Sequence, residues 1–184
     1  MQFDDLVFVT SNLDKLGEAE AVLGRKLDHR ALDLPEIQSL DLAEVVRAKA
    51  SMAWERLRRP VLVEDTGLEL IGLGGFPGPL IRWMLASVGP AGICRIAHTF
   101  EDPRAAARCL VCATDGGSEV FGEGLVRGVI AEKPRGGRGF GWDSTFVPEE
   151  GDHRTYGQME AVEKNAISHR RKAFEALRDA LVND

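Results

Sequence analysis

The chain has 184 residues, 44% of them hydrophobic and 28% charged, and a formal net charge of −6. That length and usage suit one elaborated globular folding unit spanning 1–184. The acidic balance excludes a broad basic face for nucleic acid, and no apolar run is long enough to cross a membrane.

The start Met1-Gln2-Phe3-Asp4-Asp5 lacks the basic residues of a signal peptide, and Leu6 to Thr10 is too short for its apolar region, so a cytoplasmic location is expected. Leu6 to Thr10 reads instead as a buried strand leading into Ser11-Asn12, a helix start. Leu13, Leu16, Ala19 and Leu23 then recur at helical spacing until Gly24. A second strand is expected within Leu27 to Leu34. Asp41, with Glu44 three residues on, resembles a capping box for a helix running to about Arg59, before Pro60. Val61-Leu62-Val63 reads as a buried strand ending in Glu64-Asp65-Thr66-Gly67, which exposes two acids to a crevice. Gly72 to Pro79 is a turn-rich loop, followed by a helix over Leu80 to Val88. Cys109 to Thr114 and Val120 to Ala131 flank Asp115-Gly116-Gly117-Ser118, a hairpin signal. Lys133 to Gly139 reads as a flexible basic loop, and Ile167, Phe174, Leu177 and Leu181 mark one terminal helix from Ala161 onward. This order predicts an α/β fold, a mixed β-sheet with flanking helices and a ligand beyond strand ends.

Cys94, Cys109 and Cys112 read as buried reduced thiols; the C-x-x-C spacing lies in a strand over Ala107 to Thr114 and lacks a second ligand pair for zinc. Thr10-Ser11-Asn12-x-x-Lys15 joins a strand end to a helix N-terminus. Backbone N–H groups, a hydroxyl, an amide and an ammonium there could converge on phosphate oxygens, although the glycine-rich signature of a Walker loop is missing. Glu36, Glu64 and Asp65 offer oxygen-only ligands of the kind magnesium takes, and a further carboxylate could take a proton from water. Adjacent Glu64 and Asp65 point to opposite sides of a continuing strand and so cannot share one role. Lys49, Arg82 and Lys164 would complete a cationic enclosure around a triphosphate. The alternative for these acids and bases is a solvated surface.

Phe140 and Trp142 would share one side of an extended segment and could both contact a flat base, with core packing as the alternative. Asp143 would orient a neighbouring donor or accept from a base N–H. Ser168-His169-Arg170 sets three hydrogen-bonding side chains in a row. His169 suits a base-edge contact better than a general base, since no serine or cysteine nucleophile motif accompanies it.

Together these segments resemble the inosine triphosphate pyrophosphatase family over nearly the whole chain. The pieces are Val7 to Asn12 with Lys15, Leu34-Pro35-Glu36, Val61 to Leu68, Leu73 to Pro79, Phe140-Gly141-Trp142-Asp143, and Glu163 to Arg170. The resemblance implies two lobes around a central nucleotide-binding cleft. It implies phosphate contacts from Thr10, Asn12 and Lys15, with Lys49 and Lys164 assisting, while Arg82 could still bind an anion with a different geometry. It places Mg2+ at Glu36, Glu64 and Asp65, with Asp65 as the active-site aspartate. Phe140 and Trp142 would flank the purine, and Asp143, Ser168, His169 and Arg170 would bound it. Ser11 replaces a glycine common in relatives, and Arg82 a lysine. The implied reaction is hydrolysis of ITP, dITP or XTP to the monophosphate and pyrophosphate by a homodimer, without a covalent enzyme intermediate. A related pyrophosphatase for other modified nucleotides is the second enzyme reading. A non-hydrolysing nucleotide sensor is the third, and the acids Glu36, Glu64 and Asp65 argue against it.

Overall fold

The computed structural model describes residue 1 and residues 3–182; Gln2, Asn183 and Asp184, which fall inside the expected single unit, lie outside the described residues. The strands are β1 (Val7–Val9), β2 (Asp28–Arg30), β3 (Val61–Leu70), β4 (Pro77–Gly78), β5 (Arg104–Thr114), β6 (Glu119–Ile130) and β7 (Phe146–Pro148). They form one sheet in the order β2-β1-β3-β5-β6-β7, with β4 pairing onto β3. β1 is parallel to β2 and β3, so helical crossovers are needed, and α1 (Leu13–Leu23) and α2 (Leu42–Leu57) supply them. The remaining pairs are antiparallel, with β5 and β6 joined by the expected hairpin, whose turn closes through Asp115 Oδ1 accepting from the Gly117 and Ser118 N–H groups.

Three apolar clusters hold these layers. On one sheet face Phe8, Leu62 and Val111 pack with Phe174 and Leu177 of α5 (His169–Val182), and on the other α2 covers Val7, Val61, Val63 and Cys112. A third cluster at the far ends of the long strands joins Leu68, Leu70 and Ile130 to α3 (Ile81–Thr99) and to Trp142, Phe146 and Tyr156. Leu62, Glu64, Thr66 and Leu68 alternate onto one face of β3. Glu64 and Thr66 therefore interrupt an apolar stripe, and a cleft opens at that interruption. α5 rests directly on β6 because Gly122 and Gly124 carry no side chain; a Cβ there would meet helix backbone atoms at 2.2 and 2.0 Å.

Several boundaries differ from the sequence expectation. β3 does not end at the acids but continues to Leu70, paired with β5 from Val61↔Thr114 to Leu70↔Ala105. Glu64 and Asp65 still meet a crevice, because the other edge of β3 pairs β1 only at Val61 and Leu62 and β4 only from Leu68. The helix after Pro79 continues to Thr99 across Gly89, whose φ of 66° and ψ of 176° break the helical path; Pro90 suits the first position of the resumed helix. The terminal helix is two, α4 (Ala161–Ile167) and α5, since Ser168 is extended and its Oγ accepts from the Arg171 N–H at 3.1 Å. At α2 only half of the capping box forms: Asp41 caps Ala43, while Glu44 accepts from the Ser39 hydroxyl. The loop over 133–139 is tied at Arg135 to Ser144 and Thr155. All three cysteines are free and buried, and Cys109 and Cys112 pack in clusters on opposite faces, which rules out a shared ion. Among the described residues no helix is long and apolar enough to cross a membrane.

Candidate active site

The cleft has a volume of about 880 Å³ and gathers the β1–α1 turn, the middle of β3, Lys49 of α2, the start of α3, the 140–143 turn and the α4–α5 junction. At one end Asn12 Oδ1 accepts from the Asp14 and Lys15 N–H groups, and Thr10 Oγ1 accepts from the Asn12 N–H. Those bonds fix the first turn of α1 and bring Lys15 Nζ to 2.6 Å from Glu64 Oε1 and 3.4 Å from Asp65 Oδ1. The shorter contact is an ion pair without hydrogen-bond alignment. Lys49 Nζ lies 2.9 Å from Glu36 Oε1 and 3.7 Å from Asp65 Oδ2, and it also donates to the open-edge Glu64 carbonyl at 3.4 Å. Arg82 stands at the rim, mostly exposed, 3.6 Å from Glu36 Oε2.

Burial alone would raise the Glu64 carboxyl, but Lys15 and Arg170 outweigh it and hold it well below the usual carboxylate range. Burial alone would likewise lower the Lys15 ammonium, and the charges of Glu64 and Asp65 raise it instead. Both groups are therefore charged at neutral pH. For the half-buried Glu36 burial again opposes ionisation, and Lys49 lowers the carboxyl on balance.

At the other end Asp143 Oδ2 accepts from the Phe140 N–H at 2.8 Å and from Lys164 Nζ at 2.7 Å, so it orients a neighbouring donor. Its burial raises the carboxyl against the pull of Lys164. Lys164 also lies 2.6 Å from Glu18 Oε1, while Glu18 Oε2 pairs with Arg170. The Arg170 side chain is only 2% exposed and donates through Nε and Nη2 to Glu64 Oε2 at 3.3 and 3.2 Å. Lys164 and Arg170 sit 4.8 and 5.8 Å from the Phe140 ring centre. Residues 141–145 form a turn, so Phe140 and Trp142 do not line up along an extended face; Trp142 packs among Phe146, Tyr156 and His169, its ring 5.4 Å from the imidazole. Burial, then the charges of Arg170 and Lys164, hold His169 well below its ordinary value, so the imidazole is neutral.

The ionic contacts form one alternating chain from Asp143 through Lys164, Glu18, Arg170, Glu64, Lys15, Asp65 and Lys49 to Glu36 and Arg82. A row of buried and half-buried donors running from an aromatic turn to a helix N-terminus suits a ligand with a flat polar ring at one end and an anionic tail at the other.

The Ham1 family matches residues 6–180. The chain belongs to the Ham1 family. It is 45% identical over 177 residues to inosine triphosphate pyrophosphatase 2 of Trypanosoma cruzi, covering 94% of this chain and 90% of the relative. It is 42% identical over 176 residues to a dITP/XTP pyrophosphatase of Hyperthermus butylicus, covering 94% and 92%. Among solved structures it is similar to a HAM1 protein from Coxiella burnetii, with a TM-score of 0.80 at 26% identity over 97% of this chain and 100% of that one.

Membership of the Ham1 family implies a divalent metal. Among the described residues no group of three or more His, Cys, Asp or Glu side chains converges as a cage. The donor set still fits a hard cation, because Glu36 and Asp65 face the cleft from either side of Lys49 and phosphate oxygens would complete the shell. Of the residues singled out from sequence, Thr10, Asn12, Lys15, Glu36, Lys49, Glu64, Asp65, Arg82, Phe140, Trp142, Asp143, Lys164, His169 and Arg170 line the cleft. Ser168 is fully buried and spends its hydroxyl as the cap of α5. Sequence reasoning missed Glu18, which lies one helical turn beyond Lys15 on α1 and holds Lys164 and Arg170 together; that spacing was the available signal. It also missed Thr66, which receives a bond from Arg170 Nη2 at 3.2 Å.

Proposed function

We propose that this Ham1-family chain hydrolyses ITP, dITP and XTP to the monophosphate and pyrophosphate with Mg2+, and so removes them from the nucleotide pool. The observation that carries the reading is the joining of Asp65, the Lys15 and Lys49 ammonium groups and the His169-Arg170 end in one cleft. Thr10, Asn12, Lys15 and Lys49 would bind the phosphates, with Lys164 and Arg82 assisting. Asp65 would orient a water and take its proton as the water oxygen attacks the α-phosphorus. The bond from that phosphorus to the bridging oxygen then breaks, and Lys15 and Lys49 stabilise the pyrophosphate that leaves. Magnesium held by Glu36 and Asp65 with phosphate oxygens would neutralise charge on the leaving group.

At the ring end Phe140 and Trp142 would flank the purine. Asp143 and His169 would bound its edge, with Ser168 acting by holding the start of α5. Donors from Arg170 or nearby backbone meet an O6 acceptor, whereas adenine presents an amino donor there. We further take the chain to act as one domain in the cytoplasm, as a homodimer and without nucleic acid; a sedimentation profile of monomer alone at working concentration would reject the dimer.

An assay of pyrophosphate release from ITP, GTP and ATP, with and without Mg2+, tests the reaction. Release of orthophosphate instead would reject attack at the α-phosphorus. Asp65→Asn should lower turnover by about 10²-fold or more while nucleotide binding persists; unchanged turnover would remove Asp65 from the reaction.

A further inference from the structure

We propose that Glu64 is a positioning residue that couples base recognition at Arg170 to the placement of Lys15 beside Asp65. The inference rests on the reading of the cleft as a nucleoside triphosphate site, and it gives Glu64 a task other than metal ligation.

Glu64 lies where two elements distant in sequence meet. Its side chain is 1% exposed. Oε2 accepts from Arg170 Nε and Nη2, from Thr66 Oγ1 at 3.2 Å and from Cys109 Sγ at 3.3 Å. Burial, then the Glu64 charge, raise the Cys109 thiol, so it stays protonated and remains a donor. Oε1 is sealed from solvent and lies 2.6 Å from Lys15 Nζ. One oxygen thus serves the start of α5, and the other, closed off from solvent, faces the first turn of α1 through its ion pair with Lys15. Magnesium demands near-ideal octahedral approach at about 2.0–2.1 Å. Glu64 could offer that only by releasing Lys15 or Arg170.

Charges this deeply buried require compensation. A guanidinium that turns one N–H toward a purine O6 acceptor gives Glu64 Oε2 less, and the carboxylate then draws more strongly on Lys15. Lys15 is already shared unequally, 2.6 Å from Glu64 and 3.4 Å from Asp65. What Arg170 touches therefore changes how Lys15 is divided between its two acids, and the acid farther from Arg170 is the one proposed to take the proton. A base that cannot engage Arg170 leaves that division unaltered.

Coupling of this kind is reciprocal and is measurable as binding without turnover. Pyrophosphate affinity would be measured calorimetrically in Mg2+ with and without saturating inosine, and again with adenosine. In the unaltered protein inosine should weaken pyrophosphate binding by about fivefold or more, because Glu64 then holds Lys15 back from the phosphates, and adenosine should not. In Glu64→Gln the inosine effect should fall to about onefold, with the Mg2+ dependence of pyrophosphate binding unchanged. Should Glu64→Gln fail to fold, Glu64→Asp, which keeps the charge but is too short to span both cations, should show the same loss. An inosine effect that persists in either folded variant, or is missing from the unaltered protein, would overturn the proposal. So would a rise of about tenfold or more in the Mg2+ needed by Glu64→Gln, which would assign Glu64 to the metal. Failure of the unaltered protein to release pyrophosphate from ITP would reject the reaction and leave this binding measurement intact.

Discussion

Replacing Gly124 by alanine should push the start of α5 away from the sheet. A Cβ at position 124 would lie 2.0 Å from the His169 carbonyl oxygen and 2.5 Å from the Ala173 nitrogen, where ordinary contact begins at 3.4 Å. Helix backbone cannot rotate aside, so the displacement needed is about 3.4 − 2.0 = 1.4 Å. Arg170, the next residue, holds Glu64 at 3.2 and 3.3 Å, and a shift of that size carries both bonds beyond hydrogen-bond range. Overpacking of this kind costs about 1–3 kcal/mol of stability. Misplacement of a positioned group by about 1 Å can cost about 10²-fold in rate. The measurements are kcat/KM for ITP and urea unfolding. Gly17→Ala serves as a control, since Gly17 is exposed on α1 with nothing within 4 Å of its would-be Cβ; it should retain activity and gain about 0.5–1 kcal/mol. Full kcat/KM and undiminished stability in Gly124→Ala would refute the argument that this contact sets Arg170.

Two further outcomes follow from the same helix. Because His169 is held below its unfolded value of about 6.5, the unfolded chain binds the extra proton first as pH falls. Its contribution to stability is therefore complete above about pH 6.5 and is lost on acidification toward the folded value, by at most about 1.4 kcal/mol per pH unit. Urea unfolding at about pH 7.5 and about pH 5.5 should show this slope, and His169→Gln should flatten it; an equal slope in the variant would place the proton elsewhere. Ser168→Ala should cost about 1 kcal/mol through the lost cap. It should reduce turnover far less than Asp65→Asn, and an equal reduction would put the hydroxyl in the reaction.

The strand Val61-Leu62-Val63 was legible because an apolar run of that length has few other uses. Its continuation through Glu64-Asp65-Thr66-Gly67 was not, since Glu64, Asp65 and Gly67 have little strand preference and the segment is held by pairing to β5 and by cations from α1, α2 and α5. The break at Ser168 was hidden by Ile167, Phe174 and Leu177, which keep helical spacing across it, although a serine ahead of a helical segment is itself a start signal. The helix expected over Leu80 to Val88 stopped short because Gly89-Pro90 breaks its pattern, although proline is also a favoured opening residue of the helix that resumes there. The order of motifs was enough to name most of the charged and aromatic residues of the cleft, though not Thr66. Which acid meets which base was not readable, because each ionic contact from Glu18 to Lys164, from Glu64 to Arg170 and from Lys15 to Asp65 joins segments far apart along the chain.

The regular succession of acids and bases along the cleft also bears on how a triphosphate arrives. Equal and opposite neighbours a few ångströms apart cancel when viewed from beyond a Debye length of about 8 Å in physiological salt. An incoming polyanion is thus scarcely steered, and its encounter rate should vary little with ionic strength, unlike that of a cleft lined by one sign of charge. Attraction develops only at close range, as carboxylates yield their cations to phosphate, so selectivity is exercised during settling rather than approach.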